Sequence, residues 1–155
     1  MPSHDEVLAT IREQIAVEQD ADRAMTAVVA TLKKAMPDYS WVGIYLLDGN
    51  ELVLGPFEGK PSPHTHIPLG RGICGAAAAE KATIIVDDVN ADPRYLACSL
   101  ETKSEIVVPI MKGGEVLGEI DIDSDRAAAF GKPDQKLLEA VAALLATRMT
   151  PLTTD

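Results

Sequence analysis

Two cysteines and three acids lie within one continuous stretch of the chain, and they are the side chains best suited to chemistry. The cysteines are Cys74 and Cys98, the two that the sequence contains. The acids are Glu105, Asp121 and Asp123, which lie on two apolar segments joined by a short glycine-containing turn. We predict that the two thiols and the acids close around one small pocket.

The spacing of the acids admits two interpretations. Residues two apart in a strand share a face, so Glu119, Asp121 and Asp123 are predicted to lie on one side of a sheet. The other side would carry Val116, Ile120 and Ile122. The acids could form the solvated face of a half-exposed antiparallel sheet. Alternatively, with Glu105 from the paired strand, they form a cluster that binds a cation or keeps one carboxyl protonated, because crowded carboxylates raise one another's pKa.

The two thiols have different surroundings. Cys74 follows Gly70-Arg71-Gly72-Ile73 and lies near a predicted helix N-terminus, where the helix dipole favours a thiolate. Cys98 lies in a polar loop close to Arg94 and Lys103. Both settings suit a reactive sulfur. A lone cysteine in a reducing compartment can also be a small buried apolar residue, and that alternative stays open for each.

A metal site is a further alternative. His64 and His66 could share a face of a strand and form a Cys₂His₂ set with Cys74 and Cys98. The spacing matches no familiar zinc pattern, in which paired cysteines lie close together. We therefore predict no metal and no other cofactor, with His64 bordering the pocket as a polar wall.

The remaining sequence predicts the elements that position these residues. A capping box at Ser3 and Glu6 begins an N-terminal helical region over residues 1–36, either two helices or one broken helix. A further helix is predicted over 71–81, and a C-terminal helix over 133–149 begins at Pro133. Strands are predicted over 40–47, 51–57, 64–69, 82–87, 105–111 and 115–123. Two hairpins imply an antiparallel sheet, so residues 1–155 are predicted to form one α+β domain with terminal helices on one sheet face.

Charge and hydropathy exclude several classes of protein. The formal charge is −10 and the sequence contains no Lys/Arg cluster, which argues against nucleic acid or an anionic membrane as a partner. No apolar run approaches the roughly 20 residues of a membrane helix. The first residues do not read as a signal peptide, so we expect a cytoplasmic protein, in which a disulfide is usually catalytic or transient.

Six segments form an ordered pattern: WVGIYLL (41–47), LVLGPFEGKP (52–61), IPLGRGICG (67–75), AC (97–98), SEIVVPI (104–110) and GEIDIDS (118–124). In this order they resemble the motifs of free methionine-(R)-sulfoxide reductases, which are stand-alone GAF-domain enzymes. The resemblance covers residues 37–149, and the ordered set is what makes it specific. It implies a GAF fold with a ligand pocket on the sheet face opposite the terminal helices.

The resemblance also implies an activity and roles for residues. The family is cytosolic and often dimeric, and it reduces free methionine-(R)-sulfoxide with electrons from thioredoxin. Cys98 matches the nucleophile and Cys74 a second redox cysteine. The substrate-binding acids match Glu105, Asp121 and Asp123, and the aromatics that enclose the substrate match Trp41 and Tyr45. A plain core tryptophan is the alternative for Trp41.

The sequence departs from the family at one position. The family usually carries a third cysteine just before a Thr-x-Ile-Pro stretch, and here His64 lies nearest to that position. With two thiols in the sequence, a resolving disulfide within one subunit can only join Cys74 and Cys98. We predict that Cys98 reacts first and Cys74 resolves it, and the reverse order is the alternative. The rival hypothesis is a GAF module that binds a small ligand without catalysis. The chain shows no attached output domain, so we expect the enzyme.

Overall fold

The computed structural model describes residues 2–96 and 100–151, which contain four α-helices and one six-stranded sheet. The α-helices are α1 (His4–Val17), α2 (Ala21–Ala35), α3 (Gly72–Glu80) and α4 (Lys132–Ala146). The strands are β1 (Trp41–Asp48), β2 (Glu51–Glu58), β3 (His66–Pro68), β4 (Ile84–Val86), β5 (Ser104–Lys112) and β6 (Glu115–Ser124). The strand order is β3-β2-β1-β6-β5-β4 and every pair is antiparallel, as the two predicted hairpins require.

The N-terminal region forms two helices because a second cap interrupts the first. Ser3 and Glu6 form the predicted capping box at the start of α1. The Asp20 side chain then accepts a hydrogen bond from the backbone N–H of Arg23 at 2.9 Å and begins α2. A side chain that satisfies the free N–H groups of a new helix favours a new start over continuation of the old helix.

The sheet separates two apolar layers. Helices α2 and α4 pack on one face of the sheet, in a layer with Val42 and Ile44 of β1 and Ile120 and Ile122 of β6, and α1 packs on α2 and α4. Helix α3 lies on the other face with Trp41, Tyr45, Leu52, Ile67 and Val107. The predicted α+β class, with the terminal helices on one sheet face, is therefore confirmed.

Two details of the sheet differ from the prediction. A β-bulge shifts the register between Ile110 and Met111, so β6 changes its alternation near its start. Leu117 therefore joins the terminal-helix layer, and Val116, predicted to lie with Ile120, packs on the α3 side. The segment 82–87, predicted as a buried strand, is reduced to the half-buried edge strand β4. Among the described residues, no helix combines the length and apolarity needed to cross a membrane.

Candidate active site

The three central strands bring the acids together on the α3 side of the sheet. Asp123 of β6 lies opposite Trp41 of β1 on one side and Glu105 of β5 on the other. Asp121 lies opposite Gly43, and Glu119 lies opposite Tyr45. The period of two along β6 thus places three carboxyl groups in a row, and β5 adds a fourth beside them.

All four carboxyl groups are buried, so the interpretation of a solvated face is wrong. Glu105, Glu119, Asp121 and Asp123 are between 0% and 4% exposed. Burial disfavours the charged form and raises the pKa of Glu119, Asp121 and Asp123 above their ordinary values. The neighbouring Asp121 carboxylate raises the pKa of Glu119 and Asp123 further. The cluster is therefore built to hold protons or to receive a cation.

Several of these oxygens have no hydrogen-bond partner among the described residues. They are both carboxyl oxygens of Glu119 and the Oδ1 atoms of Asp121 and Asp123. A buried polar atom without a partner usually reflects a functional demand or a bound group, since it destabilises the fold.

Cys74 lies directly above this row. It is in the first turn of α3, as predicted, and its Sγ lies 4.0 Å from Oε2 of Glu105, a long S–H contact. The predicted thiolate is not favoured there. Burial raises the pKa of the Cys74 thiol well above its ordinary value, and the carboxylates of Asp121, Glu119 and Glu105 raise it further. Desolvation and like charge therefore outweigh the helix dipole.

Cys98, the predicted nucleophile, lies outside the described residues. The same is true of its neighbours Ala97 and Ser99. Its predicted role and its pairing with Cys74 stay predictions.

The two predicted aromatic residues are anchored by backbone carbonyl groups of the loop after β2. The indole N–H of Trp41 donates to the Lys60 carbonyl at 2.9 Å, and its ring stacks on Phe57 with centroids 5.8 Å apart. The Tyr45 hydroxyl donates to the His64 carbonyl at 2.8 Å. These bonds hold both rings against the α3 side of the sheet.

The site residues border two cavities. The larger, about 160 Å³, has Trp41 and Asp123 in its wall, together with the loop residues Lys60, Ser62 and Glu101. The smaller, about 10 Å³, is bordered by Tyr45, His64, Cys74, Leu96, Glu105 and Asp121. The larger cavity has room for a small organic molecule, whereas the smaller has room for roughly one water.

The alternative Cys₂His₂ set is not tested, because Cys98 lies outside the described residues. Within the described ranges, the metal-ligating atoms that lie within 4.8 Å of one another belong to Cys74, Glu105 and Asp121. His64 borders the small cavity, while His66 is exposed on β3.

The chain is similar to known proteins in both sequence and fold. The GAF domain family matches residues 20–149. A free methionine-R-sulfoxide reductase of Saccharomyces cerevisiae is 45% identical over 117 residues, which cover 73% of this chain and 64% of the yeast protein. The crystal structure of a Neisseria meningitidis free methionine-R-sulfoxide reductase in complex with its substrate is 41% identical, with a TM-score of 0.90, and the match covers 94% of this chain and 87% of that one. A type II free methionine-R-sulfoxide reductase of Thermoplasma acidophilum is 41% identical with a TM-score of 0.81, over 89% and 94% of the two chains.

The chain belongs to the GAF-domain family of free methionine-R-sulfoxide reductases. This membership and the GAF fold confirm the family and the fold class predicted from the sequence. That residues 1–155 form a single domain stays a prediction.

Sequence reasoning missed one structural requirement of this family member's site. A Cβ on Gly43 would lie 2.3 Å from a ring carbon of Trp41, so the indole lies directly over this glycine. The sequence pattern that could have predicted this packing is Trp41-x-Gly43-x-Tyr45, in which a glycine lies between two aromatic residues on the same strand face.

Proposed function

We propose that this protein is an oxidoreductase that reduces free methionine-R-sulfoxide to methionine with its own thiols. The observation that carries the proposal is a buried row of carboxyl groups with the Cys74 thiol above it and the Trp41 ring beside it. The activities of its relatives in yeast and Neisseria meningitidis support the choice of substrate.

The acids would bind the polar groups of a free amino acid. Crowded buried carboxyls settle into a mixture of protonated and ionised groups. An ionised carboxylate can pair with the substrate ammonium, and a protonated carboxyl can donate a hydrogen bond to the sulfoxide oxygen. Trp41 supplies an apolar and cation–π wall, and Tyr45 lies on the same side.

The chemistry follows from these roles. The Cys98 thiolate attacks the sulfoxide sulfur while a carboxyl group protonates the oxygen. The sulfoxide S–O bond breaks and the oxygen passes to the Cys98 sulfur, so methionine leaves and Cys98 becomes a sulfenic acid. The Cys74 sulfur then forms a disulfide with Cys98 and water is released. The dithiol of thioredoxin reduces this disulfide and is itself oxidised.

The surroundings of Cys74 support its assignment to the second step. A thiol that burial and four carboxylates keep protonated is a poor first nucleophile, since the thiolate is the reactive form. It can still resolve a sulfenic acid, because an adjacent carboxylate can accept its proton as the new bond forms.

A coupled assay with thioredoxin, thioredoxin reductase and NADPH tests the proposed function. Each equivalent of methionine-R-sulfoxide should oxidise one equivalent of NADPH, and the S epimer should oxidise none. A protein whose melting temperature rises with the sulfoxide but that oxidises no NADPH would instead be a GAF binding module.

Trapping assigns the two thiols. After one equivalent of sulfoxide, intact-mass spectrometry of Cys74→Ser should show a sulfenic acid on Cys98, and Cys98→Ser should release no methionine. Release of one equivalent by Cys98→Ser would reverse the roles.

We further expect a cytoplasmic homodimer. Sedimentation equilibrium of the full chain tests the dimer, and a mass equal to one chain at micromolar concentration would contradict it.

A further inference from the structure

The Cys74 sulfur and two carboxylate oxygens form a compact triangle. One potential ligand atom from each of Cys74, Glu105 and Asp121 lies within 4.8 Å of the other two, and all three side chains are buried. The sulfur-to-oxygen distance between Cys74 and Glu105 is 4.0 Å. A tetrahedral zinc site with ordinary bond lengths separates sulfur and oxygen ligands by about 3.5 Å, so this edge of the triangle would contract by about 0.5 Å around an ion.

A second observation points to a ligand inside this triangle. Asp121 is 2% exposed and its Oδ1 has no hydrogen-bond partner among the described residues. The same three side chains border the cavity of about 10 Å³, which Tyr45 and Leu96 help to enclose. This volume suits one ion or one water and is far too small for an amino acid.

We propose that Cys74, Glu105 and Asp121 bind a single divalent cation of the zinc class. One thiolate and two carboxylates form a three-ligand set that leaves one tetrahedral position open. The sulfur ligand excludes Mg²⁺ and Ca²⁺, which prefer oxygen alone. The cation would displace the proton of the thiol, because a coordinating thiol binds as the thiolate.

The site has a consequence for the enzyme. The cation would occupy carboxylates proposed for the substrate and would hold the Cys74 sulfur, so it would block the reduced protein reversibly. Formation of a disulfide at Cys74 would remove one of its three ligands and release it. Binding of the cation does not depend on the proposed reductase activity, and it is measured without sulfoxide.

The test uses the full chain, kept reduced with a phosphine because thiol reductants bind zinc. Zn²⁺ is titrated against a chromophoric chelator, and Cd²⁺ is added separately to follow the ultraviolet charge-transfer band of a cadmium thiolate. We expect one ion per chain and a Cd²⁺–thiolate band. Absence of both would overturn the proposal.

Variants identify the ligands. Cys74→Ser should abolish the Cd²⁺ band, and Cys74→Ser and Asp121→Asn should each weaken Zn²⁺ binding by more than the roughly 10–100-fold that loss of an outer partner causes. The control is Glu51→Gln, which removes an exposed carboxyl of β2 outside the site and should leave the affinity unchanged. Urea unfolding shows that each variant is folded.

The histidines provide the decisive counter-test. His64→Ala and His66→Ala should leave Zn²⁺ affinity within a few-fold of the parent. If either change weakens binding as much as Cys74→Ser, the assigned ligand set is wrong.

Discussion

Asp123 and Trp41 both border the larger cavity. The ammonium group of the proposed substrate would bind there, between the Asp123 carboxylate and the Trp41 indole. Asp123→Ala should lower kcat/KM by about 30-fold or more, because loss of one partner of a desolvated charge pair costs roughly 2–5 kcal/mol. The coupled assay measures the effect, and denaturant unfolding shows that the variant stays folded.

Asp125→Ala is the matched control for that change. Asp125 borders the same cavity but is exposed, so its removal should leave kcat/KM nearly unchanged. Unchanged kinetics in Asp123→Ala would remove this acid from the substrate site. A sulfoxide within a peptide, which lacks the free ammonium, should also be a poor substrate.

We expect Glu119 to lower the stability of the fold. It is fully buried, and neither carboxyl oxygen has a hydrogen-bond partner within residues 2–96 and 100–151. Glu119→Met, an apolar change of similar size, should raise the free energy of unfolding by about 1–3 kcal/mol, the cost of an unsatisfied buried polar group. Urea unfolding at neutral pH with an unchanged m-value measures the gain.

Glu51→Met is the control for Glu119→Met. Glu51 is exposed on β2, so the same substitution there should change stability by about 0.5 kcal/mol or less. A loss of stability in Glu119→Met would mean that its carboxyl group has a stabilising partner in solution.

At the scale of elements, β1 positions its tryptophan through a glycine. Gly43→Ala would place a Cβ 2.3 Å from the Trp41 ring, so the indole must move while the strand can stay. Because Trp41 is the one tryptophan of the chain, its fluorescence spectrum should shift and the KM for sulfoxide should rise.

Gly131→Ala provides the comparison. Its added Cβ would have an ordinary contact of 3.6 Å with Pro133, far from the indole, so the emission spectrum should not change. If Gly43→Ala also leaves the spectrum unchanged, the indole does not rest on β1.

Periodicity predicted the elements well and their environment less well. The alternation of acids in β6 predicted their common face, and the two hairpins predicted the antiparallel sheet. Whether that face is exposed to solvent depends on α3 and the loops that cover it. The spacing of residues within one strand does not reveal this covering. The bulge that moves Val116 is a pairing event between β5 and β6, so it too lies beyond local sequence.

The direction of the Cys74 pKa shift could not be predicted from the sequence, because it depends on opposing effects of the helix dipole and of burial. A helix N-terminus stabilises a negative charge by about 0.3–1 kcal/mol at exposed sites. Burial can raise the pKa of a thiol by several units, equivalent to several kcal/mol. The sequence predicts the helix start, but the burial and the facing acids come from β5 and β6.

For the whole molecule, the buried acids predict how stability depends on pH. The pKa values of Glu119, Asp121 and Asp123 are raised in the folded state, chiefly by burial, so the folded protein binds more protons than the unfolded chain. Stability is then greatest below the unfolded-state values of 4.5 for Glu119 and 3.8 for the aspartates. The free energy of unfolding falls as the pH rises toward the folded-state pKa values. The fall is about 1.4 kcal/mol per pH unit for each proton that the folded protein binds and the unfolded chain does not.

Urea unfolding of the reduced chain between about pH 5 and pH 8 measures this slope. The free energy of unfolding should decrease as the pH rises, and Glu119→Gln should make the decrease shallower, because the amide has no proton to lose in this range. Asp134 does not obscure the result. Partial burial alone would raise the pKa of Asp134, but hydrogen bonds from Gly131 and Tyr39 lower it overall. The stability that Asp134 contributes is therefore fully present above pH 3.8, its unfolded-state pKa. Stability that rises over the same range would mean that the acids are ionised and paired in the folded protein.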